Sequence, residues 1–158
     1  MEISINDYIY YSYYGICKVD DLKIMKLGDE EKEYFILSSL KNNQTIFLPK
    51  DNINNDKVKK ILPKEEINYI IKLAKDVDIN WPSKAKERNL YLIELLKKDD
   101  LSITIAILLK ILFKQNNNET LSPNDLIIYG NIKKLLCECL SFSLKINEDE
   151  VIEYIINN

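Results

Sequence analysis

Two hydrophobic periods run along this chain and change over near residue 57. Up to Asn52 the apolar residues come in short runs with strand-like composition. Residues 7–14 are rich in tyrosine and close on Gly15, residues 16–25 alternate imperfectly, residues 33–40 carry Tyr34-Phe35-Ile36-Leu37, and Thr45-Ile46-Phe47-Leu48 stops at Pro49. Gly28-Asp29 is a hairpin signal between two of these runs, and Asn42-Asn43 marks a second turn. Four or five short strands within about fifty residues suggest a small barrel rather than an open sheet, because closure removes exposed edges.

From Lys57 onward the spacing is helical. Pro63 suits a first helical position and Glu65-Glu66 suit the positive end of that helix, with Ile67, Ile70, Ile71 and Ala74 as its apolar face. Trp81-Pro82 interrupts the pattern, and Ser83 is a candidate cap for a second helix running toward Lys98. Asp99 or Asp100 can cap a third over residues 101–114. After the polar break Asn116-Asn117-Asn118, Ser122-Pro123 with Asp125 is a strong start for the longest helix, which carries Leu126, Leu136 and Leu140. Asn147 and Glu150 have capping-box spacing for a last helix ending near Ile156. The expected fold is α+β: a barrel over residues 1–53, then an all-α bundle of about five helices over 54–158.

Charge and composition narrow the function. A net charge of −3 with a pI near 5.2 is wrong for a protein that holds DNA by bulk phosphate neutralisation, so any nucleic-acid contact is expected to be local, weak or assisted by a partner. The chain has no histidine, which removes the usual general base and nucleophile activator, and its three glycines form no phosphate loop. Carboxylate pairs such as Glu30-Glu31 and Asp99-Asp100 fall in turns or caps. No enzyme, cofactor or small-molecule substrate is expected. Cys17, Cys137 and Cys139 lack zinc-ligand spacing, so they read as small core residues and no metal is expected. The most apolar run, residues 103–113, is too short to span a bilayer, and no leader-like segment opens the chain. The expected compartment is the cytoplasm, with no membrane partner.

Two clusters invite a functional reading. Tyr8, Tyr10, Tyr11, Tyr13 and Tyr14 suit a pleated surface, and the simpler account is barrel core plus one solvent face, since half of any strand points inward. Trp81 lies at a helix boundary, followed by Lys84, Lys86 and Arg88. An ordinary buried tryptophan is one reading. The other is a ring that stacks on or wedges between nucleobases while cations hold phosphate. Lys84 and Arg88, four apart, share one helix face.

The order of these features resembles the CarD/CdnL group of bacterial transcription regulators, whose N-terminal module is shared with transcription-repair coupling factors. The likeness covers nearly the whole chain. It is carried by Tyr10-Tyr11-Ser12-Tyr13-Tyr14-Gly15, by Glu31-Lys32-Glu33-Tyr34-Phe35-Ile36-Leu37, by Thr45-Ile46-Phe47-Leu48-Pro49 with Asn52, by Asn80-Trp81 and by Leu121-Ser122. The spacing from Trp81 to Asp100 is that of the low-GC Gram-positive branch. The resemblance implies a Tudor- or SH3-like barrel that pairs a strand edge with the RNA polymerase β subunit, with Met25, Lys26, Leu27, Ile46 and Phe47 at that surface. Met25 and Phe47 stand where the family often has arginines, which removes charge-assisted bonds from that contact. The resemblance also implies a helical domain in which Trp81 wedges into the minor groove at the edge of the melted promoter, with Lys84, Lys86, Arg88 and Lys133 on phosphate. The long helix has Asp125, Leu126 and Ile127 where the family tends to be basic, leaving Lys133 and Lys134. The expected function is a transcription regulator that stabilises the open complex. The rival is a protein-interaction adaptor of the same fold without DNA binding, which the acidic charge favours.

Overall fold

The computed structural model describes residues 1–55 and 57–158, in two compact units, Met1–Leu62 and Pro63–Asn158. The first unit is one antiparallel sheet of five strands: β1 (Tyr8–Tyr11), β2 (Gly15–Leu27), β3 (Glu30–Ser39), β4 (Thr45–Pro49) and β5 (Val58–Lys60), in the order β4-β3-β2-β1-β5. The turn signals act where expected. Gly28, with φ of 68°, opens the two-residue turn that joins Leu27 to its partner Glu30, and Asn43 takes a φ of 54° in the second turn.

One face of every strand feeds a single core: Ile9 from β1, Cys17 and Val19 from β2, Phe35 and Leu37 from β3, Ile46 and Leu48 from β4, and Val58 from β5, with Ile53 from the preceding turn. Ile9, Cys17, Val19 and Leu37 are fully buried in this cluster. A single sheet can enclose such a cluster only by curling round it, which makes the unit barrel-like. Burial pushes the Cys17 thiol up to about 11, as expected for a cysteine serving as a core hydrophobe. The tyrosine run divides: Tyr10 is buried, Tyr11 and Tyr14 pack partly against the core with ring centroids 5.1 Å apart, and Tyr13 is exposed.

Residue 53 lies inside the first unit, nine residues short of its end at Leu62. Helical structure does not begin at Lys57, because β5 pairs with β1 there, Ile9 opposite Lys60 and Tyr11 opposite Val58.

The second unit contains α1 (Lys64–Asp76), α2 (Ala85–Leu96), α3 (Leu101–Asn116), α4 (Pro123–Leu144) and α5 (Val151–Asn157). Its axis is α3, where five consecutive residues, Thr104 to Leu108, are buried, so neighbours cover the helix on more than one side. Those neighbours are α1, α2 and α4, and Ile67 and Ile71 of α1, Leu92 of α2, Leu136 of α4 and Ile155 of α5 are all fully buried.

Three helix starts were legible. Ser122 and Asp125 form a reciprocal capping box on α4, Asn147 and Glu150 form another on the short turn before α5, and Asp100 caps α3. Ser83 caps nothing: α2 begins after Lys84 without a side-chain cap, and the Ser83 carbonyl faces Arg88 instead. The Asp100 carboxylate accepts from the Ser102 hydroxyl at 2.6 Å and the Ser102 N–H at 2.8 Å, which with the Ile103 N–H hold its pKa below the ordinary 3.8. Asp100→Ala is expected to cost about 1 kcal/mol in urea unfolding at neutral pH. A depressed folded pKa stabilises above the ordinary value and is lost as pH falls through the folded one, so the difference between variant and parent should vanish in acid.

Candidate nucleic-acid and polymerase surfaces

Beyond the barrel, β2 and β3 continue as a two-stranded ribbon over residues 24–33, since β1 pairs no further along β2 than Lys18 and β4 pairs no further along β3 than Tyr34, the partner of Lys23. Register sorts the five expected polymerase residues. Phe47 lies opposite Ile36, Ile36 opposite Asp21, and Met25 and Leu27 keep the parity of Asp21, so Phe47, Met25 and Leu27 share the outer face. Phe47 is 52% exposed and Leu27 61%, while Met25 is half-buried. Four residues of strand and two strand spacings separate Met25 from Phe47, about 13 Å along and about 10 Å across.

Ile46 does not belong to this surface. It pairs with Leu37 and points into the barrel core, only 7% exposed. Two neighbours on a strand cannot both face a partner while the alternation holds, so Phe47 outside puts Ile46 inside. Lys26 also has the inner parity, but it lies past the end of the barrel and is exposed. Charges dress the same region: Lys50 Nζ meets Glu33 Oε2 at 2.7 Å, and Lys32 pairs with Glu30 at 3.1 Å.

The second surface is built on residues 77–84, which connect α1 to α2 and belong to neither helix nor strand. Ile79 is buried and anchors the segment, and Trp81 and Pro82 are half-buried. The indole is neither displayed in full nor packed away. Its ring has the Arg88 guanidinium carbon 4.7 Å from its centroid and the Lys114 ammonium at 6.0 Å. Both lie within the range in which a cation is drawn to an aromatic face.

Arg88 does not grip phosphate. It is 4% exposed, and its fork engages Asp125 of α4, Nε to Oδ1 at 2.9 Å and Nη2 to Oδ2 at 2.6 Å. Nη1 donates to the Pro82 carbonyl at 2.8 Å and to that of Ser83 at 3.4 Å. Asp125 is fully buried and also accepts from the Ser122 N–H at 2.7 Å. Burial pushes the Asp125 carboxyl up, but the bonds from Arg88 and Ser122 outweigh it and the net pKa is lowered. The hydrogen bond to Asp125 raises that of Arg88. A guanidinium spent on this pair has no geometry left for a DNA backbone.

The lysines fare differently. Lys84 and Lys86 are exposed, and Lys84 makes only a surface pair with Glu87 at 3.4 Å, worth little in water. Lys133 is exposed on α4, eight residues and about 12 Å of helix beyond Asp125, with its ammonium 5.9 Å from the Tyr129 ring. Lys114, absent from the sequence reading, is drawn in from α3 and also pairs with Glu119 at 3.0 Å. The sequence did carry one signal for Arg88: it precedes Leu92 by four, on the stripe that holds the buried residues of α2.

Among the described residues no three His, Cys, Asp or Glu side chains cluster to hold a metal ion, and no helix is long and apolar enough to cross a membrane. Residues 3–62 match the CarD-like/TRCF RID domain, a span that coincides with the first unit to within two residues at its start. No curated protein matches the chain.

Proposed function

We propose, from the premise that the first unit is a CarD-like/TRCF RID domain of Tudor-like fold, that this chain is a non-enzymatic transcription regulator. That domain indicates a transcription-related protein whose partner is the RNA polymerase β subunit. The match over residues 3–62 is the observation that carries the reading. On this proposal the ribbon and β4 form the polymerase surface, with Met25, Leu27 and Phe47 as apolar contacts, Lys26 at the ribbon tip and the β4 edge open to strand addition. The helical unit meets promoter DNA through Trp81, with Lys84, Lys86 and Lys133 on phosphate, and stabilises the open complex by binding it better than the closed one. The spacing from Trp81 to Asp100 supports the low-GC Gram-positive branch.

With three lysines at most on phosphate, log K should fall against log[salt] with a slope no steeper than about −2.7. Such weak binding suits a protein of net charge −3 that relies on polymerase to bring it to DNA. The test is capture of purified polymerase by the immobilised chain, followed by open-complex lifetimes. Phe47→Asp should abolish capture. Trp81→Ala should retain capture while open complexes decay as fast as with no protein added. Failure to capture the β subunit would end the proposal. The adaptor reading draws support from the acidic charge and from the loss of Arg88 as a phosphate ligand; it predicts capture with lifetimes indifferent to Trp81.

A further inference from the structure

Residues 77–84 have no helical or sheet ladder to set their shape, so side chains must do it. Buried Ile79 holds the first half of the segment, and Arg88 holds the second half, from Trp81 to Ser83. Four of its five N–H donors are spoken for, two by Asp125 and two by the carbonyls of Pro82 and Ser83, and its guanidinium carbon lies 4.7 Å from the indole centroid. Asp125 is itself fixed by the capping box of α4, so the chain of contacts runs from a helix terminus to the tryptophan.

We infer that Arg88 is a positioning residue for Trp81: anchored on Asp125, it sets the plane and depth at which the indole is offered to nucleic acid, and it touches no phosphate. This rests on the reading of Trp81 as the DNA-facing group. Lysine cannot replace it, because a point charge lacks the fork that reaches Asp125 and the two carbonyls while its centre sits over the ring.

Trp81 is the one tryptophan in the chain, so its emission reports the loop without any DNA present. Two variants serve: Arg88→Lys, and Arg88→Met combined with Asp125→Asn, which removes both charges together and keeps an amide oxygen for the Ser122 N–H. With far-UV ellipticity unchanged, acrylamide quenching of Trp81 should rise roughly twofold and its emission shift to the red. Open-complex lifetime should fall to the Trp81→Ala value, and Arg88→Lys should add nothing in the Trp81→Ala background. The salt slope should stay put for Arg88→Lys but lose about 0.9 for Lys84→Ala. Unchanged quenching in a folded variant overturns the inference, as does a salt slope reduced by Arg88→Lys. Should Trp81→Ala leave lifetimes untouched, the proposed function fails while quenching still decides whether Arg88 positions the ring.

Discussion

Asp125→Ala is expected to lower the unfolding free energy of the helical unit by about 3–5 kcal/mol, the cost of leaving a buried guanidinium without its counter-charge. Arg88 and Asp125 have side chains 5% and 0% exposed, so water cannot step in as it does for a surface pair. The loss also includes the α4 capping box, in which the Asp125 carboxylate accepts from the Ser122 N–H. For a unit of this size the melting temperature should fall by about 12 °C or more. Urea unfolding followed by Trp81 emission measures it, and a loss under about 1 kcal/mol would mean that the pair is effectively solvated. The pH dependence has a definite sign. Asp125 has a folded pKa below the ordinary 3.8, so its contribution is complete above that value and disappears as pH falls through the lowered one. Asp125→Asn should flatten that acid limb.

Leu37→Ala should remove about 2–5 kcal/mol from the barrel, through lost burial and the cavity left behind. Leu37 is fully buried between Val19 of β2 and Ile46 of β4. A core this small supplies only about 3–5 kcal/mol in all, so the substitution should bring the first unit close to unfolding at 37 °C. Polymerase capture should then fail together with the strand signal in far-UV ellipticity. Trp81 emission, which originates in the helical unit, supplies that unit's own transition in the same sample. A folded Leu37→Ala barrel at parental stability would show that the cluster packs less tightly than its burial indicates.

The features legible beforehand are those encoded within three or four residues. Gly28-Asp29 and Asn42-Asn43 make turns because the backbone there needs a positive φ that glycine and asparagine tolerate. Asp100, the Ser122–Asp125 box and the Asn147–Glu150 box start helices because a short polar side chain reaches its own N–H groups. β5 was missed because Val58-Lys59-Lys60 is too short to show a period, and it becomes a strand only by pairing with Tyr11, Tyr10 and Ile9, far back along the chain. Ile46 was misplaced because a likeness of motifs does not carry the phase of a strand, whereas the register with Leu37 does.

By itself, then, the order of residues determined every element type but that of β5, most caps and turns, the barrel-then-helices plan and the prominence of Trp81, since these follow from local sterics, local hydrogen bonds and hydrophobic period. Beyond the hint that Arg88 shares a helix stripe with Leu92, tertiary structure decided what the cations beside Trp81 do. Lys84 and Arg88 look equivalent as charges in a row, but the electrostatics differ once the chain is folded: Arg88 meets Asp125, 37 residues away, in a site closed to water, while Lys84 stays in solvent. Whether a charge serves a partner or the protein's own interior depends on the dielectric around it and on which opposite charge the fold brings near, and neither is written in the neighbouring residues.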